Sequence, residues 1–332
     1  MKRIGSFICC LLMLGAAAVG RASAKDALFE GEDYSLSVRY NEKPCPGDAV
    51  FARMVISQNS RQNKKIKLNL EKTEATLELY QDEKLLDKSD FYILEGDSSR
   101  SSVTMLTGIP LSSWWNSDNN YSLKVTYRLT TGRFYDFTLP FALSYKKFVE
   151  ETIPLDTKNT EIRTDTSPKR MGQIEKLNSI LATVNKDHIY QTKSYSAPTT
   201  ATRRTSYFAD RRIYAYSNGK SSTSLHYGID YGVPTGSDVT SCAAGKVVLA
   251  EDRVTTGWSV VIEHLPGLYS LYYHMSELKV KEGDTVKEGQ LIGLSGATGL
   301  ATGPHLHWEM RLNMAAVNPD FFTENFTFAS AN

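Results

Sequence analysis

Apolar residues recur at every second position through much of the first third of the chain. Tyr34, Leu36, Val38 and Tyr40 alternate with Ser35, Ser37 and Arg39, and Ala75, Leu77 and Leu79 repeat the spacing. In "YSLKVTYRLTTGRFYDFTL", Tyr121, Leu123, Val125, Tyr127 and Leu129 fall on one face before a Thr-Gly turn leads into a second strand. A period of two broken by turns predicts an antiparallel β-sandwich of immunoglobulin-like type over residues 25–150. No motif with chemistry of its own falls in this stretch.

Over residues 151–204 the composition shifts to Thr, Ser, Lys and Asp, as in a connector. One helix is expected inside it. Ser167 can cap it, Pro168 suits the first helical position, and Met171, Ile174, Leu177, Leu181 and Val184 follow with helical spacing. "YSAPTTATRRTS" then reads as a flexible link. From residue 205 to about 325 short strands return, punctuated by glycines: "DVTSCAAGKVVLAE", "WSVVIEH", "YSLYYHM" and "QLIGLSG". They predict a second, compact antiparallel all-β domain, so the chain as a whole is mostly β with a helical connector.

Composition changes this picture in three places. The 38 basic and 37 acidic residues nearly cancel, which argues against nucleic acid as a partner. Residues 1–24 combine basic Lys2 and Arg3, the apolar run "FICCLLMLGAAAV" and a small-x-small site at Ala22-Ser23-Ala24. That is the pattern of a cleaved signal peptide, with an apolar run too short to span a bilayer, so the expected mature chain is exported and has no membrane span. Its address is then periplasmic, envelope-associated or secreted. A lipoprotein signal is the rival, but "SFIC" comes early and lacks small residues before the Cys. Cys9 and Cys10 would leave with the leader; Cys45 and Cys242 remain, and the sequence does not decide whether they pair.

The chemistry gathers in the second domain, which holds five of the six histidines. In "GPHLHWEM", His305 and His307 are two apart, so on a strand they share a face. "HYGID" offers His226 and Asp230, four apart and also on one face if extended. Imidazole and carboxylate are ordinary zinc ligands, and three protein ligands with one open position is the arrangement of a catalytic site. His274, at the end of the apolar "LYYHM", can supply the group that moves protons beside the metal. Each histidine alone reads more simply as a packed or exposed strand residue; the joint pattern favours the metal. His264, beside a turn, reads as structural and His188 as solvated, while Asp252, Glu263, Glu277 and Glu309 read as charged rim positions. Trp258, Tyr272 and Trp308 are candidates for a peptide groove, with core packing as the simpler reading.

"HYGID", "YYHMS" and "GPHLHWEM", in this order, resemble the lysostaphin/LytM-type zinc metalloendopeptidases, which cut peptide bonds in peptidoglycan. The likeness spans roughly residues 205–322, from the lead-in "FADRR" through "GDTVKEGQLIGLSGATG" to "VNPDFF". It implies one Zn2+ held by His226, Asp230 and His307, with His274 and His305 as the catalytic histidines that activate water and stabilise the tetrahedral intermediate. Which of the two is the base is left open. Ala209 stands where the lead-in often has Gly, and Cys242 in a stretch usually built of small residues.

The expected function is an exported endopeptidase acting on peptidoglycan peptides. The alternative is a catalytically silent wall-binding protein or an activator of cell-wall amidases, which the complete ligand set disfavours. The likeness of "GDTVKEGQLIGLSG" to lipoyl and biotinyl carrier domains lacks the displayed lysine such a carrier needs. For residues 25–150 the expected role is to bind the wall or an envelope protein, or to shield the groove.

Overall fold

The computed structural model describes residues 24–31, 34–59, 70–96, 102–129, 132, 134–324 and 326. The expected leader, apart from its last residue, lies outside them. The chain divides into two compact units, one built mainly from Val50–Ile109 and Ser117–Leu143 with the residues before Cys45, the other from Ser144–Asn332 with Cys45–Ala49 and Pro110–Asn116.

The first unit holds two sheets. One orders its strands Ala24–Glu30, Tyr34–Asn41, Ala49–Gln58, Ser102–Pro110 and Tyr92–Gly96; the other orders Lys84–Asp90, Glu74–Gln81, Tyr121–Arg128 and Phe134–Phe141. The alternation read from the sequence is the alternation of burial. Leu36, Val38, Leu77, Leu79, Leu123 and Val125 are all buried, whereas their neighbours are part-exposed. Hydrogen bonds cross between the sheets, among them Tyr34 Oη to Tyr127 Oη at 2.6 Å, Tyr40 Oη to Pro140 O at 2.9 Å and Thr107 Oγ1 to Asp90 O at 3.0 Å.

The second unit is built on a larger sheet whose strands run Arg204–Ser206, Gly228–Tyr231, Leu306–Leu312, Leu268–Met275, Gly257–Leu265, Gly245–Arg253 and Thr285–Val286, with Ala315–Val317 added to the edge of Leu306–Leu312. Leu268–Met275 is buried at every position rather than at alternate ones. Its two faces are both covered. On one, Tyr269, Leu271 and Tyr273 join Leu249 and Val261 in a cluster that is closed by Leu181, Leu177 and Ile180. On the other, Ser270 and Tyr272 meet His264 and Cys242.

Those three closing residues sit on the helix Pro168–Leu181, capped by Ser167, whose Oγ accepts from Arg170 N–H. The helix expected within a connector is thus part of the core of the second unit. Polar bonds reinforce the docking: Gln173 Oε1 accepts from Val254 N–H, Arg253 donates to Gln173 O, and Lys176 pairs with Glu251. A second helix, Thr157–Thr164, is capped by Asp156. Its single large apolar residue, Ile162, gave no periodicity to read. Just before it, Glu150–Pro154 pairs in parallel with Arg211–Ala215, which pairs antiparallel with Ser221–Leu225. Glu150–Pro154 is thus a strand at the start of the stretch expected to be a connector with a single helix. Cys45 and Cys242 are both free.

Candidate metal centre

The face of the large sheet that carries Tyr269, Leu271 and Tyr273 has a polar end. Register places Asp230 opposite His307 and His307 opposite Tyr273, and residues paired across strands project to the same side. The Tyr273 ring lies parallel to the His307 imidazole, 4° from coplanar orientation with centroids 5.4 Å apart. Because Tyr273 also belongs to the apolar cluster under the helix, the core fixes one wall of the site.

His226 is placed by a loop rather than by a strand. Between Arg204–Ser206 and Arg211–Ala215 the chain turns through Ala209 at φ 64°. Asp210 Oδ2 accepts from Tyr207 N–H and Ser206 O–H, while Ala209 N–H donates to His226 O and His226 N–H to Asp210 O. The turn so formed presents Tyr207 O to His226 Nδ1, 2.8 Å away. Ala209 therefore occupies a left-handed position that glycine takes without strain, which explains the glycine expected there.

Three donor atoms converge. His226 Nε2 lies 3.0 Å from both Asp230 Oδ1 and His307 Nδ1, and His307 Nδ1 lies 2.7 Å from Asp230 Oδ1. The far nitrogen of each ring is committed: His226 Nδ1–H donates to Tyr207 O, and His307 Nε2–H donates to Glu309 Oε1 at 2.9 Å. In the neutral rings both inward nitrogens then carry lone pairs, facing each other and a carboxylate oxygen with no proton to share. Either a proton on His307 Nδ1 or a metal ion bound among the three atoms reconciles them. Donors about 2.0–2.1 Å from a tetrahedral metal are about 3.3 Å apart, so these spacings are about 0.3–0.6 Å short of a ready-made set. Among the described residues these three form the group of side chains able to hold a metal ion.

The surrounding charges fit the same conclusion. Burial alone would push His307 down, but its hydrogen bonds to the Asp230 and Glu309 carboxylates hold it up at about 9. Burial would raise Asp230, yet the His226 and His307 partners keep it well below the usual carboxylate range. Glu309, also buried, is drawn down to about 2 by Arg311 and His307. His226 is lowered, chiefly by burial. A site that attracts a proton this strongly to His307 attracts a metal ion by the same field, with release of the proton.

Two further imidazoles stand beside the donors. His274 and His305 have ring centroids 4.7 Å apart, and the His274 ring is 6.1 Å from that of His307. His274 Nδ1–H donates to Thr298 O and His305 Nδ1–H to Gly303 O, each at 2.8 Å, so Nε2 is the lone-pair nitrogen of both neutral rings. His274 adopts φ 62°, costly for a residue with a Cβ, and is held there by its N–H bond to Thr256 O. Burial, with His305 and His307 adding to it, pushes His274 down to about 3, so at neutral pH its ring is uncharged.

All five residues singled out from the sequence, His226, Asp230, His274, His305 and His307, are thus brought to one place. Other readings need correction. Glu309 is not a rim carboxylate but a buried partner of His307, and Glu263 is buried against His188 Nδ1 at 2.7 Å, so His188 is not merely solvated. Tyr272 and Trp308 are fully buried core residues, leaving Trp258 as the exposed one of the three groove candidates. His264 is buried, donating from Nδ1 to Ala244 O away from the donor cluster. The alternation His307, Glu309, Arg311 along one strand contained the signal for Glu309. Arg212, which donates to Asp230 Oδ2, lies in the "FADRR" lead-in, but its contact had no local signal because its strand meets the site only through tertiary pairing.

Residues 224–319 match the family model described as Peptidase family M23. DD-carboxypeptidase/endopeptidase Mpg of Neisseria meningitidis serogroup B is 43% identical over 95 residues, 29% of this chain and 22% of that protein. Peptidoglycan DD-endopeptidase ShyA of Vibrio cholerae is 42% identical over 93 residues, 28% of this chain and 22% of that protein. The match thus spans about a fifth of the length of these relatives. A crystal structure of a putative peptidase M23 from Pseudomonas aeruginosa is 20% identical and covers 87% of this chain and 96% of its own, with a TM-score of 0.52; it shows a shared fold.

Proposed function

We propose that this chain, whose residues 224–319 form a domain of peptidase family M23, is an exported zinc-dependent endopeptidase that hydrolyses the peptide stems or crosslinks of peptidoglycan. The observation that carries the proposal is the convergence of His226 Nε2, His307 Nδ1 and Asp230 Oδ1 as three lone-pair donors beside two imidazoles whose Nε2 atoms can accept protons. Two imidazoles and one carboxylate are a usual donor set for catalytic zinc. The relatives named for peptidoglycan cleavage supply the substrate class.

Zinc at these three donors would supply a Lewis acid, which lowers the pKa of water and polarises a peptide carbonyl. The protein does the rest. His226 and His307 are locked in tautomer by Tyr207 O and Glu309, so their lone pairs need no reorientation. His274 and His305, fixed in tautomer by Thr298 O and Gly303 O, each present a lone pair at Nε2 that can take the proton of an attacking water. The other of the pair, once protonated, can act as a donor toward the developing oxyanion. Trp258, exposed beside this end of the sheet, can border the substrate groove. Among the described residues no helix is long and apolar enough to cross a membrane.

The test is to incubate zinc-loaded protein, residues 25–332, with purified peptidoglycan and identify the released fragments by mass spectrometry beside a His307→Ala control. Crosslinked stems cut by the wild type alone are expected. Absence of cleavage by protein with one bound zinc per chain would move the weight to a binding or amidase-activating role.

A further inference from the structure

The Asp230 carboxylate is divided between two tasks. Oδ1 faces the two histidine donors, while Oδ2 accepts from Arg212 Nη2 at 3.0 Å. Arg212 is itself held in turn: Nε donates to Glu151 Oε1 at 3.0 Å, and Nη2 also donates to Ser206 Oγ. The two residues lie directly opposite each other in the parallel pair of strands Glu150–Pro154 and Arg211–Ala215. Arg212 is largely buried, with 12% of its side chain exposed, and its planar fork suits it to hold two carboxylates in a fixed relation. Neither residue lies within 224–319, the residues matched by the family model, though Arg212 ends the "FADRR" lead-in.

We infer that Arg212, braced by Glu151, is a positioning residue that holds Asp230 to one-oxygen metal coordination, so that the paired strands Glu150–Pro154 and Arg211–Ala215 help to fix the metal centre. This rests on the metal-site reading above. An unbraced carboxylate can rotate about its last bond or turn both oxygens inward; with Oδ2 tied to Arg212, only Oδ1 is presented. The arrangement mirrors the one behind His307, where Glu309 is fixed by Arg311 at 2.7 Å. Positioning and charge make opposite predictions. A guanidinium this close weakens the attraction of Asp230 for a cation, so its removal would tighten metal binding if charge alone mattered. If orientation matters more, removal loosens it.

The test is Zn2+ affinity, measured by competition with a chromophoric chelator on the full mature chain, for wild type, Arg212→Met, Arg212→Lys, Glu151→Ala and the Glu151→Ala/Arg212→Met pair. Loss of an outer partner of a metal ligand lowers affinity by about 10–100-fold, and Arg212→Met should fall in this range. Arg212→Lys keeps the charge but cannot bridge both carboxylates, and should recover only part of the loss. Glu151→Ala should weaken binding less than Arg212→Met and add nothing in the Arg212→Met background, since it acts through Arg212. Affinity unchanged or raised in Arg212→Met overturns the inference while wild-type zinc binding leaves the proposed function standing. A wild type that binds no zinc overturns both. Should Arg212→Met fail to fold, Glu151→Ala decides: its binding weakened supports the brace, and its binding equal to wild type overturns it.

Discussion

Truncating Leu181 to alanine tests whether the helix ahead of the family domain is part of its core. Leu181 is 3% exposed and closes the cluster of Leu249, Val261, Tyr269, Leu271 and Tyr273. The substitution removes three buried carbon groups, about 2.4 kcal/mol at roughly 0.8 kcal/mol each. Partial collapse of the space left behind adds up to about 1 kcal/mol, for a total near 3 kcal/mol. In a unit of about 150–250 residues each kcal/mol moves the midpoint by roughly 2–4 °C, so a fall of about 6–12 °C is expected. The assay is calorimetric unfolding of the mature chain with and without Zn2+, following the transition that zinc stabilises, because that transition reports the second unit. A shift under about 2 °C would refute the reasoning and return the helix to the status of a loosely docked connector. By the same argument, a fragment starting near residue 200 lacks this helix and should unfold well below the full chain.

Three further outcomes follow from single sites. His264, fully buried, is pushed down to about 4 from 6.5, so the unfolded chain takes up a proton between these values that the folded chain refuses. Its contribution to stability is therefore complete above about pH 6.5 and lost by about pH 4, a fall of about 3 kcal/mol, and His264→Gln should show a shallower loss of denaturant stability over that window; an identical slope counts against it. Ala209→Gly relieves a left-handed alanine at φ 64° and should leave urea stability unchanged or raised by up to about 1 kcal/mol, whereas a loss above about 1 kcal/mol would show that the turn is not strained. A Cβ at Gly257 would run into the side chain and backbone of Thr298, whose carbonyl orients His274. Gly257→Ala should then lower kcat at least about tenfold at unchanged zinc content, and equal loss of zinc would point to wider damage.

The sequence by itself determined what depends on local periodicity and on residue type. Alternation in Tyr34–Asn41 and Tyr121–Arg128 specified strands and their buried face, because a strand repeats every two residues whatever it packs against. The Ser167-Pro168 start and the spacing of Leu177 and Leu181 specified a helix, and the spacing of His305 and His307 placed His307 on a strand and His305 just ahead of it. What the helix would cover was not local information. Its apolar stripe could be read, but only the folded sheet shows that Leu249, Leu271 and Tyr273 lie beneath it and make it part of the second unit. The same holds at the metal centre. That His226 is aimed by Tyr207 O, that Asp230 sits opposite His307, and that Arg212 ties the far oxygen of Asp230 are consequences of which strands become neighbours. Strand pairing joins residues 77 positions apart in the case of Asp230 and His307, and burial then forces each polar atom so enclosed to find a partner. Residue chemistry named the donors; tertiary packing decided which of their atoms face one another.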